Sequence, residues 1–252
     1  MIEESMAAKD MNIPLVDYLI RQRHLFEKQV RGTNQDPTRK NVHELRVTIR
    51  RIRAALWLIE HGSPRISFGK LPSSLRKLGQ VLGEQRELDV AIQDATHYHL
   101  KTKKLKSQRR LKKQMLFAKI DSKHRQKIQH DLERAVRKLQ SHPELNLAVG
   151  LTRLRGRLIP WVRKARINDD DLHELRITAK KARYVLEAIG KPIQPLRNLQ
   201  GPLGRGHDLE ILQDFSGKNI KVQSDAVLHY QKARRTIQPA LRFAIKQLEA
   251  QI

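Results

Sequence analysis

Two segments of this chain occur twice, and both read as helices. VHELRVTIRRIRAALWLIE (42–60) aligns without a gap with LHELRITAKKARYVLEAIG (172–190), and LRKLGQVLGEQRELD (75–89) aligns with LRNLQGPLGRGHDLE (196–210). The connection between the two segments is nine residues shorter in the second copy. A unit this long, repeated once, marks a duplicated domain and not a solenoid. Apolar residues recur at spacings of three and four, and runs of β-branched alternation are missing, so the repeating element is α-helical.

The same periodicity organises the rest. Leu15, Leu19, Phe26 and Val30 open a helical pattern that 32–37 interrupts. A second helix is expected over 42–61, stopped by Gly62-Ser63-Pro64, and a third begins near Pro72 and carries Leu75, Leu78, Leu82 and Leu88. A dense basic stretch over 101–113 leads into a further amphipathic helix that ends near 141–143. The expected fold class is all-α. Two four-helix bundles, 1–142 and 143–252, would arise from the internal duplication and be related by a pseudo-two-fold axis. A chain of 252 residues is long enough to bury such a core without disulfides or a structural metal.

With His43 at 0° and about 100° per residue, Leu45, Ile49, Ile52, Leu56 and Ile59 gather near 200°. His43, Arg46, Arg50 and Arg53 gather near 310°, beside the apolar stripe and not opposite it. The second copy repeats both phases: Leu175, Ala179, Ala182, Leu186 and Ile189 in one, His173, Arg176, Lys180 and Arg183 in the other. Solubility needs charge on the outward face only. A cationic stripe that borders the core lies where two helices approach, so it lines a groove. Like charges on successive turns repel, and an anion filling the groove would relieve them. Guanidinium forks suit phosphate oxygens in particular. Arg76, Gly79, Gly83 and Arg86 share a face of the third helix, matched by Arg197, Gln200, Gly204 and His207. Each glycine costs up to about 1 kcal/mol in a helix, so a neighbouring helix or a ligand is expected close to that backbone. Arg51 and Lys181 lie about 100° off the stripe and form a weaker tier with Arg76, Arg86, Arg197 and His207.

Composition narrows the partner. Lys and Arg number 51 against 26 Asp and Glu, a formal charge of +25, which calls for a polyanion. Cysteine is absent, which removes thiolate chemistry and Cys-based zinc sites. Aromatic residues are 4%, sparse for stacking bases of a single strand. The first residues are acidic and lack an apolar core, so no secretory signal is read there, and no run approaches the roughly 20 apolar residues of a membrane span. The cytoplasm is the expected location, with no membrane partner.

H-x-x-R-x-x-x-R-R-x-R at His43 to Arg53, H-x-x-R-x-x-x-K-K-x-R-Y-x-x-E at His173 to Glu187, L-G-x-x-R-E-x-D at Leu82 to Asp89 and its relative at Leu203 to Glu210 resemble the CHAD family, the conserved histidine α-helical domain. The resemblance runs from about Pro14 to Leu248. It implies paired four-helix bundles around a pseudo-two-fold axis, with a basic central surface that binds inorganic polyphosphate. A protein that decorates or organises polyphosphate stores or granules inside the cell is the expectation built on that binding. His207-Asp208 departs from the Arg-Asp pair of the pattern. No triphosphatase domain is read beside the repeat, so a catalytic fusion is not expected.

The residues leave two rival readings. One is a nonspecific nucleic-acid binder; this charge makes such binding expected at low salt. The other is a metal-dependent phosphohydrolase. Against it, Glu44 and Glu174 follow His43 and His173 by one residue and point about 100° away, whereas bundle metal sites use Glu-x-x-His. Asp94/His97 and Asp121/His124 have the three-residue spacing only as single pairs. Glu87, Asp89, Asp208 and Glu210 read as partners that orient arginines. The expectation is therefore a binding protein with no catalytic residue, no metal and no cofactor. Trp57 falls near 320°, within the cationic phase, and is expected to pack against an arginine or, in preference, to sit at the seam between bundles. The basic stretch 101–114 forms a solvated face, extends the polyanion track or contacts nucleic acid.

Overall fold

The computed structural model describes residues 2–119, 122–142 and 145–252. Among these it has nine helices and no strand: α1 (Ile2–Gln35), α2 (Arg39–Gly62), α3 (Leu71–His97), α4 (Lys103–Lys119), α5 (Ser122–Gln140), α6 (Ala148–Arg163), α7 (Asp169–Ala188), α8 (Gln194–Ser216) and α9 (Ile220–Glu249). The all-α expectation holds. The stretch from 101 to 142 forms two helices where the sequence suggested a basic lead into one, so the part before residue 143 carries five. The junction expected between 142 and 143 adjoins residues 143–144, and Asp121 of the Asp121/His124 pair is likewise outside the described residues.

The helices start where local chemistry favours them. Thr38 Oγ1 accepts from the Asn41 amide at 3.1 Å, and Asn219 Oδ1 from the Val222 amide at 3.1 Å, each satisfying a first-turn donor. Asp171 reaches back to the Asn168 amide at 2.8 Å, and three acids in the first turn of α7 complement its dipole.

One core runs through both copies of the repeat. Phe26, Leu45, Ile49 and Leu56 belong to the same buried cluster as Leu175, Leu186, Leu196 and Leu241. The repeated helices pack on their own counterparts, α2 on α7 and α3 on α8. α2 also touches α6, and α1 touches α7, a reciprocal pair of the kind that two-fold packing produces. The α2–α6 seam is tight. A methyl group on Gly62 would fall 2.5 Å from the Asn146 carbonyl oxygen, and one on Gly150 would fall 2.7 Å from that of Leu58.

A smaller cluster closes the far ends of α3 and α8, with Leu88, Ala91, Ala95 and Leu105 against Leu209, Leu212, Val222 and Ala226. Arg205 donates to Asp94 at 2.5 Å and the Tyr98 hydroxyl to Asp225 at 2.6 Å, tying the same ends. Among the described residues no helix is long and apolar enough to cross a membrane.

Candidate functional site: a cationic cleft between the repeats

The contact of α2 with α7 and of α3 with α8 leaves a cleft of about 940 Å³. The apolar stripes are buried at matching positions in the two copies: Leu45 with Leu175, Ile49 with Ala179, Ile52 with Ala182 and Leu56 with Leu186. That packing turns the neighbouring cationic phases toward each other. Twelve of the fourteen residues singled out in the sequence line the cleft: His43, Arg46, Arg50, Arg51, Arg53 and Arg86 from one copy, and Arg176, Lys180, Lys181, Arg183, Arg197 and His207 from the other. Arg76 lines an adjoining groove of about 330 Å³ that shares Arg46, Arg50, Arg53 and Glu87. His173 does not line the cleft; its ring stands edge-on to that of His207, with centroids 5.5 Å apart.

The cleft holds eleven Lys and Arg side chains against three carboxylates, Glu87, Glu187 and Asp208. Burial and crowding depress six of these cations. Lys180 is pushed down to about 6, by desolvation first and then by Arg176, Arg50 and Arg46. Lys181 is pushed down to about 7 by desolvation and by Arg157 and Arg53. Arg46 falls to about 10, and Arg53, Arg86 and Arg176 are also lowered by desolvation and neighbouring guanidinium groups. Nε of Arg46, Arg176 and Arg183 and one terminal nitrogen of Arg86 are buried with no hydrogen-bond acceptor. A buried donor left unpaired costs about 1–3 kcal/mol, more when charged. Phosphate oxygens would supply both the missing acceptors and the missing charge.

The acids have structural partners. Arg51 meets Glu187 at 2.5 Å, and Arg46 lies 4.0 Å from Glu87. Asp89 pairs with Arg109 at 2.5 Å, and Asp94 with Arg205, which removes Asp94/His97 as a free metal pair. Glu44 lies 3.9 Å from Lys40. Among the described residues no group of three or more His, Asp or Glu stands where it could hold a metal ion.

Two details narrow what the sequence left open. At the glycine face of α3 a helix comes close, as one of the two expected neighbours: Gly79 faces Ile49, and the Arg46 guanidinium lies over Gly83, 3.5 Å from where a Cβ would stand. Trp57 does pack against the core, but it also lines the cleft, with Lys181 Nζ 3.4 Å from its ring centre and Arg157 5.7 Å away. The departure at His207 has a physical consequence. Desolvation, with Arg176, His173 and Lys180 nearby, pushes its ring down to about 4, so it is neutral at pH 7 although Glu210 lies 3.7 Å away. Its counterpart Arg86 stays charged.

Arg157 and Gln200 also line the cleft, and Gln200 has a buried side-chain amide nitrogen with no partner. Arg157 lies on α6, outside both aligned segments, so the repeat carried no signal for it.

Fold and site together define an all-helical protein built from a duplicated unit around a shared cationic cleft. The chain belongs to the CHAD domain family, whose model matches residues 17–217. The crystal structure of the CHAD domain from the plant Ricinus communis matches with a TM-score of 0.62 and 20% identity, over 95% of this chain and 92% of that one. PptA from Streptomyces chartreusis matches with a TM-score of 0.48 and 15% identity, over 95% and 99%. No curated protein matches the sequence.

Proposed function

We propose that this protein binds inorganic polyphosphate in the cleft between its repeats, and that it catalyses no reaction. The observation that carries the reading is the confrontation of two equivalent cationic rows, Arg46, Arg50 and Arg53 against Arg176, Lys180 and Arg183, in one desolvated cleft with few counter-charges. Polyphosphate offers a negative charge at every unit and no bases. That suits a cleft lined by rows one helical turn, about 5.4 Å, apart and by the single indole of Trp57. Membership of the CHAD family supports the same ligand. A role in placing the protein on polyphosphate stores inside the cell follows from that binding.

The test is competition at near-physiological salt. Long-chain polyphosphate should stay bound in the presence of RNA or duplex DNA. Replacing Arg46, Arg50, Arg176 and Lys180 by Ala should abolish most of the binding while leaving the helical circular dichroism intact. Displacement by nucleic acid would overturn the reading. So would Mg²⁺- or Mn²⁺-dependent phosphate release that is lost on changing Glu44 and Glu174.

A further inference from the structure

The cationic rows of α2 and α7 share one spacing. His43, Arg46, Arg50 and Arg53 stand at i, i+3, i+7 and i+10, and so do His173, Arg176, Lys180 and Arg183. A third row has the same spacing: Lys103, Lys106, Arg110 and Lys113 on α4. By about 100° per residue these four fall within about 80° of one another on the helix. α4 contains no acidic residue. Its apolar Leu105 and Leu116 are buried, and its inward cations are used up in holding it to α3: Arg109 on Asp89 at 2.5 Å and Lys112 on Glu84 at 2.6 Å. None of the ion pairs among the described residues includes Lys103, Lys106, Arg110 or Lys113. Lys103, Lys106 and Arg110 are exposed, and Lys113 is half-buried with its amino group 5.8 Å from the Phe117 ring centre.

α3 is common to this row and the cleft. Its Gly83 lies under Arg46, and Gly79, Gly83 and Glu84 line the groove that shares Arg46, Arg50 and Arg53 with the main cleft. Glu84 also pairs with Lys112 of α4, and Asp89 with Arg109. The α4 row is thus two helix packings from the α2 row, about 20 Å at ordinary interaxial distances. The α2 row itself is about 15 Å long. A polyanion longer than the cleft would have to cross α3 to reach this surface, which has the same cation spacing and no anion of its own to compete.

We propose that the α4 row is a second, outer subsite for polyphosphate that engages only chains too long for the cleft. The inference rests on the polyphosphate reading above. The cleft would hold any chain that fits it, and α4 would add affinity in proportion to the chain that protrudes. Length preference would therefore be built into the fold.

The experiment measures affinity for two ligands, a short polyphosphate of about 15 Å, matched to the α2 row, and long-chain polyphosphate, each over a range of salt. Replacing Lys103, Lys106, Arg110 and Lys113 together by Gln should weaken long-chain binding about tenfold or more at near-physiological salt and flatten its salt dependence. Short-chain binding should not change. A charge-matched control replaces the exposed Lys232, Arg235, Arg242 and Lys246 of α9 by Gln and should leave both ligands bound. Equal losses from the α4 and α9 sets, an equal loss for short chains, or no loss at all would overturn the proposal. So would a loss confined to RNA binding. Failure of the cleft reading looks different: Arg50→Ala with Lys180→Ala would then leave short-chain binding intact.

Discussion

Lys181 Nζ lies 3.4 Å from the centre of the Trp57 indole, and the equivalent pair in the other copy is Arg51 with Glu187, 2.5 Å apart. The repeat relates Lys181 to Arg51 and Trp57 to Glu187, so one crossing contact between α2 and α7 is a cation on a ring and its twin is a cation on a carboxylate. These are the two cations that lie off the stripes. Each reaches the cleft because it crosses to the opposite helix. The duplication has kept the cation and changed its partner, which leaves the two ends of the cleft chemically different.

An anion in the cleft competes with the indole for Lys181. In a Trp161→Phe background Trp57 is the sole tryptophan, and polyphosphate should shift its emission as the amino group leaves the ring. Lys181→Ala should change the emission of the ligand-free protein and abolish the ligand-induced shift. An unchanged shift in that variant would show that Lys181 stays on the ring when ligand binds.

The depressed lysines set a pH dependence. Lys180 at about 6 and Lys181 at about 7 lose their protons in the folded protein well below the ordinary lysine value of 10.5. Between those values the unfolded chain holds more protons, so ligand-free stability should rise with pH from about 6 toward about 10. Polyphosphate favours the protonated lysines, so binding near pH 7 should take up protons and affinity should fall as pH rises. Calorimetry in two buffers of different ionisation enthalpy reads the uptake directly. Zero uptake would contradict the assignment.

Three glycines should respond oppositely to alanine. Gly62→Ala and Gly150→Ala place a methyl group against backbone oxygens at 2.5 and 2.7 Å, and should destabilise by about 1–3 kcal/mol. Gly83→Ala meets only the Arg46 guanidinium at an ordinary 3.5 Å, and should gain up to about 1 kcal/mol of helix propensity. Thermal unfolding of the three variants separates the cases.

Asp89 anchors α4. Its side chain is 4% exposed and pairs with Arg109. Asp89→Asn should cost about 1–3 kcal/mol and increase proteolysis within 103–119 before the rest of the chain. Short-chain polyphosphate binding should persist, because Asp89 does not line the cleft.

Much of this was readable in the chain. The helix over 42–61 forms at Arg39–Gly62, and the one from Pro72 begins at Leu71, because capping and apolar spacing act over a few residues. The phase of Arg46, Arg50 and Arg53 beside the core stripe, repeated at Arg176, Lys180 and Arg183, was enough to place a groove. Arg157 was not readable, since only the packing of α6 on α2 brings it to the cleft. The neutral ring of His207 was not readable either. Its state depends on Arg176, His173 and Lys180, which lie on another helix.

The elements, their duplication and the cationic side of each helix follow from local periodicity and residue type, and so are written in the chain. What those faces meet depends on packing. Packing of α2 on α7 and of α3 on α8 merged the two copies into one core and turned two solvated rows into a single desolvated cleft. It also chose indole for Lys181 and carboxylate for Arg51. Those outcomes depend on distances between residues more than a hundred positions apart, and charge interactions and desolvation take their values from such distances.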